Sequence, residues 1–556
     1  MLRILVQFPL GIIRLIFAPL SLLRRYLLLR KRPWVHLRLQ DKLTLVNRPA
    51  HRLERWLPRS PRRGSQLLAI DRVADHLARR RLPGLVITVP RMKAGWAAIE
   101  RLASRLIWLS EQGVEIAVFY PDGAGPKELV ISAAASRVAL GKGASISYYG
   151  IAAEKQYLGA ALERLGLRLQ VWRRGAYKSA MEGFRSTEMS DAERTQLDAL
   201  VQAMDAEVMA GLQRCTPEAR DRLAAEGSLY DEHAVSAGLV DTVIHADEVS
   251  EWVAGPKASL LGAGAFLRAT APRRLFRLRR APYIAVIPIS GAIAHPRGGG
   301  PENGPRSWLE KARKDKRALG AVLLIDSPGG SALASEQIHR EVERLNEEKP
   351  VVAMLQNVAA SGGYYIAAAA DSIVASRSTI TGSIGVIGAK LVASKLFEHL
   401  SVHSDRVMTR EGADLFSPHR AMTDEESARI DRSLGATYQR FLEVVSKGRG
   451  LSLEEVDAVA QGRVWAGRDA VERGLVDNIG GRDEVLKALS ARLSKTKNLE
   501  RLEWVVTAPP KAPGITALAS GGAELERLGG LQLQCLLQLA SSGAPWMLSV
   551  DIPRVD

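Results

Sequence analysis

A serine, a lysine and three glycines are the residues of this 556-residue chain whose types and settings could do chemistry together. Ser361 stands in Ala359-Ala360-Ser361-Gly362-Gly363, after the apolar run Val351 to Leu355 and before an alanine-rich stretch of helical length. Such a run suits a strand buried on both faces, so the local order reads strand, tight turn, helix. The turn places the Ser361 hydroxyl where a helix begins, beside backbone N–H groups that lack intrahelical acceptors and at the positive end of the dipole. A serine there either attacks a carbonyl or caps the helix, and the stretch alone is compatible with both. Gly329 and Gly330, in Asp326-Ser327-Pro328-Gly329-Gly330-Ser331, end a second strand pattern, and their backbone can approach a ligand closely. The N–H of Gly362, with that of Gly329 or Gly330, would meet negative charge developing on a carbonyl oxygen, each donor contributing about 3 kcal/mol to a transition state. Ser327 and Ser331 are rival nucleophiles, but their local pattern gives them turn and cap roles.

A serine attacks an amide only if a base takes its proton. The ten histidines, His295, His339, His399 and His403 among them, sit in no recognisable triad context, and none shows His-Glu-x-x-His spacing. Lys178, in Arg173-Arg174-Gly175-Ala176-Tyr177-Lys178-Ser179-Ala180-Met181-Glu182, is the other base on offer. A lysine can take a proton only when neutral, so burial or nearby positive charge must lower its pKa, and Arg173 and Arg174 are candidates for that charge. The bland alternative is an exposed helical pair of Lys178 with Glu182 at i,i+4, worth roughly a few tenths of a kcal/mol.

The elements that must position these groups are written twice. Pro33 to Leu39 parallels Pro282 to Pro288, Leu85 to Pro90 parallels Val322 to Pro328, and Ala133 to Val138 parallels Ala368 to Ile373, in the same order and at nearly constant offsets. A duplicated α/β unit follows, with mostly parallel sheets covered by helices. The copies differ where chemistry would sit: Val89-Pro90-Arg91-Met92 replaces the glycine turn, and Pro126 falls opposite Ser361. The serine and the lysine therefore come from different copies.

A chain of this length has room for two or three domains. Its 77 Lys+Arg against 60 Asp+Glu give a formal +17, concentrated before residue 81 and in Arg273 to Arg280. With no zinc-finger spacing or RNA-binding signature, nucleic acid is not the expected partner. Cys215 and Cys535 are too few for a disulfide framework or a structural zinc site, and neither cofactor nor metal is expected. Ile4 to Leu23 is nearly long enough to span a bilayer, although it contains Arg14, Pro9 and Pro19; it reads as a membrane anchor that spans or lies in the interface. The basic residues after it would keep the body of the protein cytoplasmic.

The stretches SPGGSALASEQI, NVAASGGYYIAAAADSIVASRSTITGSIGVIG, GRVWAGRDAVERGLVDNIGG and RRGAYKSAMEGF resemble the signal peptide peptidase A family, also called protease IV, in its long tandem-repeat form. The resemblance covers roughly residues 81 to 490. It implies two tandem Clp protease/crotonase-like repeats behind an N-terminal membrane-associated helix, and a serine peptidase with a Ser-Lys dyad acting on extended apolar peptides such as cleaved signal peptides. Carried over by motif, Ser361 is the nucleophile, Lys178 the general base, and Ser383 in Thr381-Gly382-Ser383-Ile384-Gly385 the hydroxyl that orients the lysine. It further implies a homo-oligomer, a tetramer, at the bacterial inner membrane with its catalytic body on the outer face, against the charge pattern after the anchor. The expected division is an anchor at 1–32, a first repeat at 33–265 supplying the lysine, a second at 266–497 supplying the serine, and an extension at 498–556 that matches nothing in the family. Two other classes use parts of the same pattern. A crotonase-like acyl-CoA enzyme would need the glycine N–H groups but no nucleophile, and a catalytically silent membrane scaffold would need neither.

Overall fold

The structure, a computed structural model, describes residues 26–30, 33–43, 66–256, 260–270, 281–294, 304–494, 499 and 502–507, with the backbone of 546–548. It contains two compact units, and they do not follow the chain in a simple sequence. Among the described residues, the first takes in those up to residue 43, 66–151 and those from 204 to 282; the second takes in 152–203 and those from Tyr283 onward.

The first unit is built on six strands, in the order Thr242–Ile244, Arg137–Gly141, Glu115–Tyr120, Gly84–Thr88, Val35–Arg38 and Leu261–Gly262. All five pairings are parallel. Ile116, Val118 and Tyr120 are buried along with the residues between them, as expected of strands covered on both faces. Helix Gln66–Arg80 carries Leu67, Ile70, Ala74 and Leu77 at three- and four-residue spacing, and all four are buried.

The second unit repeats that order. Glu503–Val506, Tyr283–Ser290, Ala318–Ser327, Val351–Ala360, Ser372–Ala375 and Asn478–Ile479 pair successively, again all parallel. The last strand of this sheet, Glu503–Val506, therefore comes from the stretch that the sequence places in the C-terminal extension. Val351–Ala360 forks: its early residues pair with Ser372–Ala375 and its last three with Ile380–Gly382. The fork turns the strand's last residues from Ser372–Ala375 onto Ile380–Gly382, and Ser361 follows directly after them. Beneath it lies a continuous apolar core including Ile287, Leu323, Ile325, Leu355, Tyr364 and Ile366. Burying each such aliphatic side chain contributes about 1.5–3 kcal/mol. The buried Tyr364 hydroxyl donates to Leu475 O at 2.8 Å, which satisfies that group.

A second, smaller sheet of four strands completes this unit, ordered Gly329–Ser331, Trp546–Leu548, Val386–Val392 and Arg168–Arg174. Its pairings are antiparallel, and Arg168–Arg174 runs along Val386–Val392 from Arg174 opposite Val386 to Arg168 opposite Val392. The expected membrane anchor at 1–32 lies outside the described residues apart from helical residues 26–30. Among the described residues, no helix is long and apolar enough to cross a membrane.

Candidate active site

Ser361 lies between strand Val351–Ala360 and helix Gly362–Ala367, as its sequence setting requires. Its backbone, at φ 53° and ψ −118°, is one that residues with a Cβ rarely adopt. Such a conformation costs on the order of 1–3 kcal/mol and persists only where surrounding structure enforces it. Here Ser361 N–H donates to Gly382 O at 2.8 Å, and Ser361 O accepts from Tyr365 N–H at 2.8 Å. The side chain occupies the N-cap position without making a capping hydrogen bond. The hydroxyl is thus not consumed by the helix and is left to another partner.

That partner is Lys178. Its Nζ lies 2.9 Å from Ser361 Oγ, 2.8 Å from Ser383 O and 3.0 Å from Ser383 Oγ. Ser383 Oγ is also 3.3 Å from Gly462 O, a group that can only accept, so the Ser383 proton points there and its oxygen accepts from Lys178. Two acceptors on Ser383 then take two amine hydrogens. A neutral amine held this way has its lone pair directed at the Ser361 hydroxyl. Lys178, Ser361 and Ser383 are all fully buried. Burial drives the Lys178 pKa well below the usual lysine range, and desolvation is its cause. Like Ser361, Ser383 has a positive φ, 51°, so both hydroxyls facing the amine sit on constrained backbone.

The arginines expected to help lower that pKa do not do so. Arg173 Nη1 bonds Glu182 Oε1 at 2.6 Å, and Arg174 pairs with Asp431. Each charge is matched by its own carboxylate, which leaves burial alone to favour the neutral lysine. The same contacts dispose of the Lys178–Glu182 pair, because Glu182 is held by Arg173 and by Ser190 Oγ at 2.8 Å.

The lysine segment is fixed by residues that carried no signal in the sequence. Gln196, wholly buried on helix Asp191–Gly211, donates through Nε2 to Ser179 Oγ at 3.0 Å and Tyr177 O at 3.3 Å; its Oε1 accepts from Val464 N–H at 3.3 Å. One side chain thereby ties both neighbours of Lys178 to strand Val464–Ala466, which pairs with Ile380–Gly382 just ahead of Ser383. Nearby, the buried Glu193 carboxylate accepts from Lys155 Nζ and Tyr157 OH, each at 2.5 Å. Gly462, at φ 75°, packs so closely that a methyl group on it would lie 2.7 Å from Lys178 Cβ. A glycine is required there by both conformation and space.

Of the expected oxyanion donors, Gly362 is the first residue of its helix, where an N–H has no intrahelical acceptor. A Cβ on Gly362 would sit 3.4 Å from Gly330 N and 2.4 Å from Ser335 Oγ, so this helix start is pressed against the glycine strand. Gly329 N–H donates to Ser327 Oγ at 3.1 Å, which leaves Gly330 and Gly362 as the pair best placed to act together. Ser327 Oγ itself donates to Gly291 O at 2.7 Å, and Ser331 caps helix Ala332–Glu348 through Ala334 N–H. Both therefore have the turn and cap roles read for them. His339 is buried against Tyr365 with ring centroids 5.2 Å apart, His399 and His403 are exposed, and His295 lies outside the described residues. Lys390, also buried in this unit, donates to Leu415 O at 2.6 Å.

Comparison with known proteins bears on the same residues. The model for peptidase family S49 matches residues 121–259 and 343–497. The chain is 31% identical over 420 residues to "Serine protease SPPA, chloroplastic" of Arabidopsis thaliana, over 72% of this chain and 62% of that protein. It is 30% identical over 476 residues to "Protease 4" of Haemophilus influenzae, over 81% of this chain and 75% of that protein. Among solved structures, a ClpP1 mutant from Listeria monocytogenes overlaps 36% of this chain and 92% of its own at 14% identity, with a TM-score of 0.23, too low to add to the strand order above.

Proposed function

The chain belongs to peptidase family S49, and from that membership we propose that it is a serine peptidase in which Ser361 is the nucleophile, Lys178 the general base and Ser383 the residue that orients the lysine. The observation that carries the reading is the buried amine 2.9 Å from Ser361 Oγ, with two further acceptors on Ser383. Neutral Lys178 takes the Ser361 proton as Oγ attacks the scissile carbonyl carbon. The resulting oxyanion is held by the N–H groups of Gly362 and Gly330, with Gly329 supporting their turn. Collapse expels the amine, which receives the proton from Lys178, and the same base then activates the water that hydrolyses the acyl ester.

The substrate class that fits is an extended apolar peptide, cleaved signal peptides included. Residues 1–32 anchor the enzyme to a bacterial membrane, an assignment supported by the apolar run Ile4 to Leu23. Assembly as a homo-oligomer and the Clp protease/crotonase-like description of the repeats belong to the same proposal. A crotonase-like acyl-CoA enzyme would have no use for a buried amine against a serine hydroxyl, and a silent scaffold would have no use for either group. The test is labelling of the full chain with a fluorophosphonate and mapping of the adduct. Modification of Ser361, lost in Ser361→Ala together with peptide hydrolysis, is the expected result. An unlabelled Ser361 in a chain that turns over a thioester would replace this reading with the acyl-CoA one.

A further inference from the structure

Lys178 and the serine that orients it are both keyed to one short turn, Gln461-Gly462-Arg463. Gln461 O accepts from Tyr177 N–H at 2.8 Å, Gly462 O from Ser383 Oγ at 3.3 Å, and Arg463 O from Ser383 N–H at 2.7 Å. Gly462 N–H donates to Ile384 O at 2.8 Å. A shift of this turn therefore displaces together the backbone before Lys178 and the acceptor that takes the Ser383 proton.

The conformation of the turn is not one it would hold unaided. Gln461 lies at φ 50°, in the left-handed region that disfavours residues with a Cβ. A cavity of about 400 Å³ opens at the same place, lined by Gly175, Ala176, Tyr438, Asp457 and Gln461 among others, so close packing does not surround Gln461. Hydrogen bonds from two helices hold it instead. Tyr438, on Asp424–Arg449, donates through its hydroxyl to Oδ1 of Asp457, on Leu453–Val459, at 2.5 Å. The same hydroxyl accepts from Gln461 N–H at 3.4 Å and from Gln461 Nε2 at 3.3 Å, and Nε2 also donates to Asp457 Oδ1 at 2.7 Å. The phenol thus gives its one proton to the carboxylate and both lone pairs to Gln461.

Resting on the peptidase reading, we propose that Tyr438 and Asp457 are positioning residues of the dyad: by pinning Gln461 they hold the Gly462 carbonyl where it takes the Ser383 proton, and so keep the Lys178 lone pair for Ser361. With that carbonyl in place, Ser383 Oγ accepts from the amine. With it displaced, the Ser383 hydroxyl is free to turn and donate to Lys178 Nζ, competing with Ser361 for the same lone pair. A hydrogen bond donated to the neutral amine also disfavours the ammonium form, so misalignment lowers kcat and moves the acid limb of the pH profile to lower pH. That limb reports Lys178, because the charges around its segment are otherwise matched: Arg173 by Glu182, Arg174 by Asp431 and Lys155 by Glu193. Arg463, over the Tyr177 ring, keeps its proton throughout the range.

Tyr438→Phe in the full chain removes the hydroxyl and little else. With a fluorogenic apolar peptide, kcat per folded molecule is expected to fall by about 10-fold at unchanged KM, with the acid limb displaced to lower pH. Adding Gln461→Gly, which lets residue 461 hold a positive φ without strain, should recover most of that loss. Asp457→Asn keeps the shape of the carboxylate and should move kcat and the limb in the same directions by less; it supplies the measurement if Tyr438→Phe does not fold. If the native chain labels with fluorophosphonate and the variants differ from it only in melting temperature, or if Gln461→Gly restores nothing, the bracket does not act through the turn and the proposal fails alone. If the native chain does not label at Ser361, the peptidase reading fails and takes the proposal with it.

Discussion

Two turns of the same design sit at the ends of corresponding strands, one in each unit. In the second unit, Val351–Ala360 passes through Ser361, at positive φ, into Gly362–Ala367, and the hydroxyl is left to Lys178. In the first, Glu115–Tyr120 leads to Gly125 and then Pro126, the opening residue of helix Pro126–Ile131. There the buried Glu128 carboxylate accepts from Gly125 N–H at 2.8 Å and from Met92 N–H at 2.5 Å. Met92 belongs to Val89-Pro90-Arg91-Met92, the stretch that stands in place of the glycine turn. The first unit thus fills with its own side chain the place where the second presents amides. One strand-turn-helix frame serves either outcome, and a few side chains choose between a sealed end and a reactive one.

After Ser361→Ala, the largest effect on turnover should come from Lys178→Arg. Arginine keeps its proton throughout the working range, so kcat should fall by about 10²- to 10⁴-fold, as far as in Lys178→Ala. For the native enzyme the direction with pH is fixed by the same argument. Burial disfavours the ammonium form, so kcat should be high above the lowered lysine pKa and fall as pH drops through it. A pH–rate profile that rises toward acid, or an active arginine variant, would remove Lys178 as the base. Ser383→Ala removes one of the two acceptors that aim the amine, and kcat should drop by about 5- to 150-fold, the equivalent of 1–3 kcal/mol, with KM little changed.

Gln196→Ala should act more gently. Loss of its links to Ser179, Tyr177 and Val464 frees the lysine segment, lowering kcat by about 10-fold and stability by about 1–3 kcal/mol. A purely structural role would lower the melting temperature and leave kcat per folded molecule and its pH midpoint unchanged, so both should be measured. At the sealed turn, Glu128→Gln should destabilise the protein by about 1–3 kcal/mol in denaturant while leaving fluorophosphonate labelling of Ser361 unaltered. Loss of labelling in that variant would mean that the two turns are not independent.

The sequence carried the α/β alternation, the duplication and the Ser361 turn because each is local: an apolar run of strand length, small residues, then an alanine-rich helix. It could not show that Ser361 leaves its helix uncapped, since that depends on a contact 183 residues away. Arg173 and Arg174 drew attention as neighbours of Lys178, but spacing along a chain does not give side-chain partners, and Glu182 and Asp431 claimed them. Gln196 was invisible for a similar reason, being one polar residue in a largely polar helix whose burial only the packed structure reveals. The strands Glu503–Val506 and Trp546–Leu548 lie where the sequence marked an extension without a role; their pairing partners are far away along the chain, and their own patterns are too short to specify them.

The placement of Ala152–Ala203 within the second unit also sets a clock on biosynthesis. Lys178 leaves the ribosome 183 residues ahead of Ser361, and at ordinary elongation rates that gap lasts roughly 10 to 40 s. Until Val386–Val392 has emerged to pair with Arg168–Arg174, nothing aligns the amine with the hydroxyl. The proposed hydrolase of extended peptides is thereby kept inert while it is itself an extended peptide, for most of the time it takes to be made.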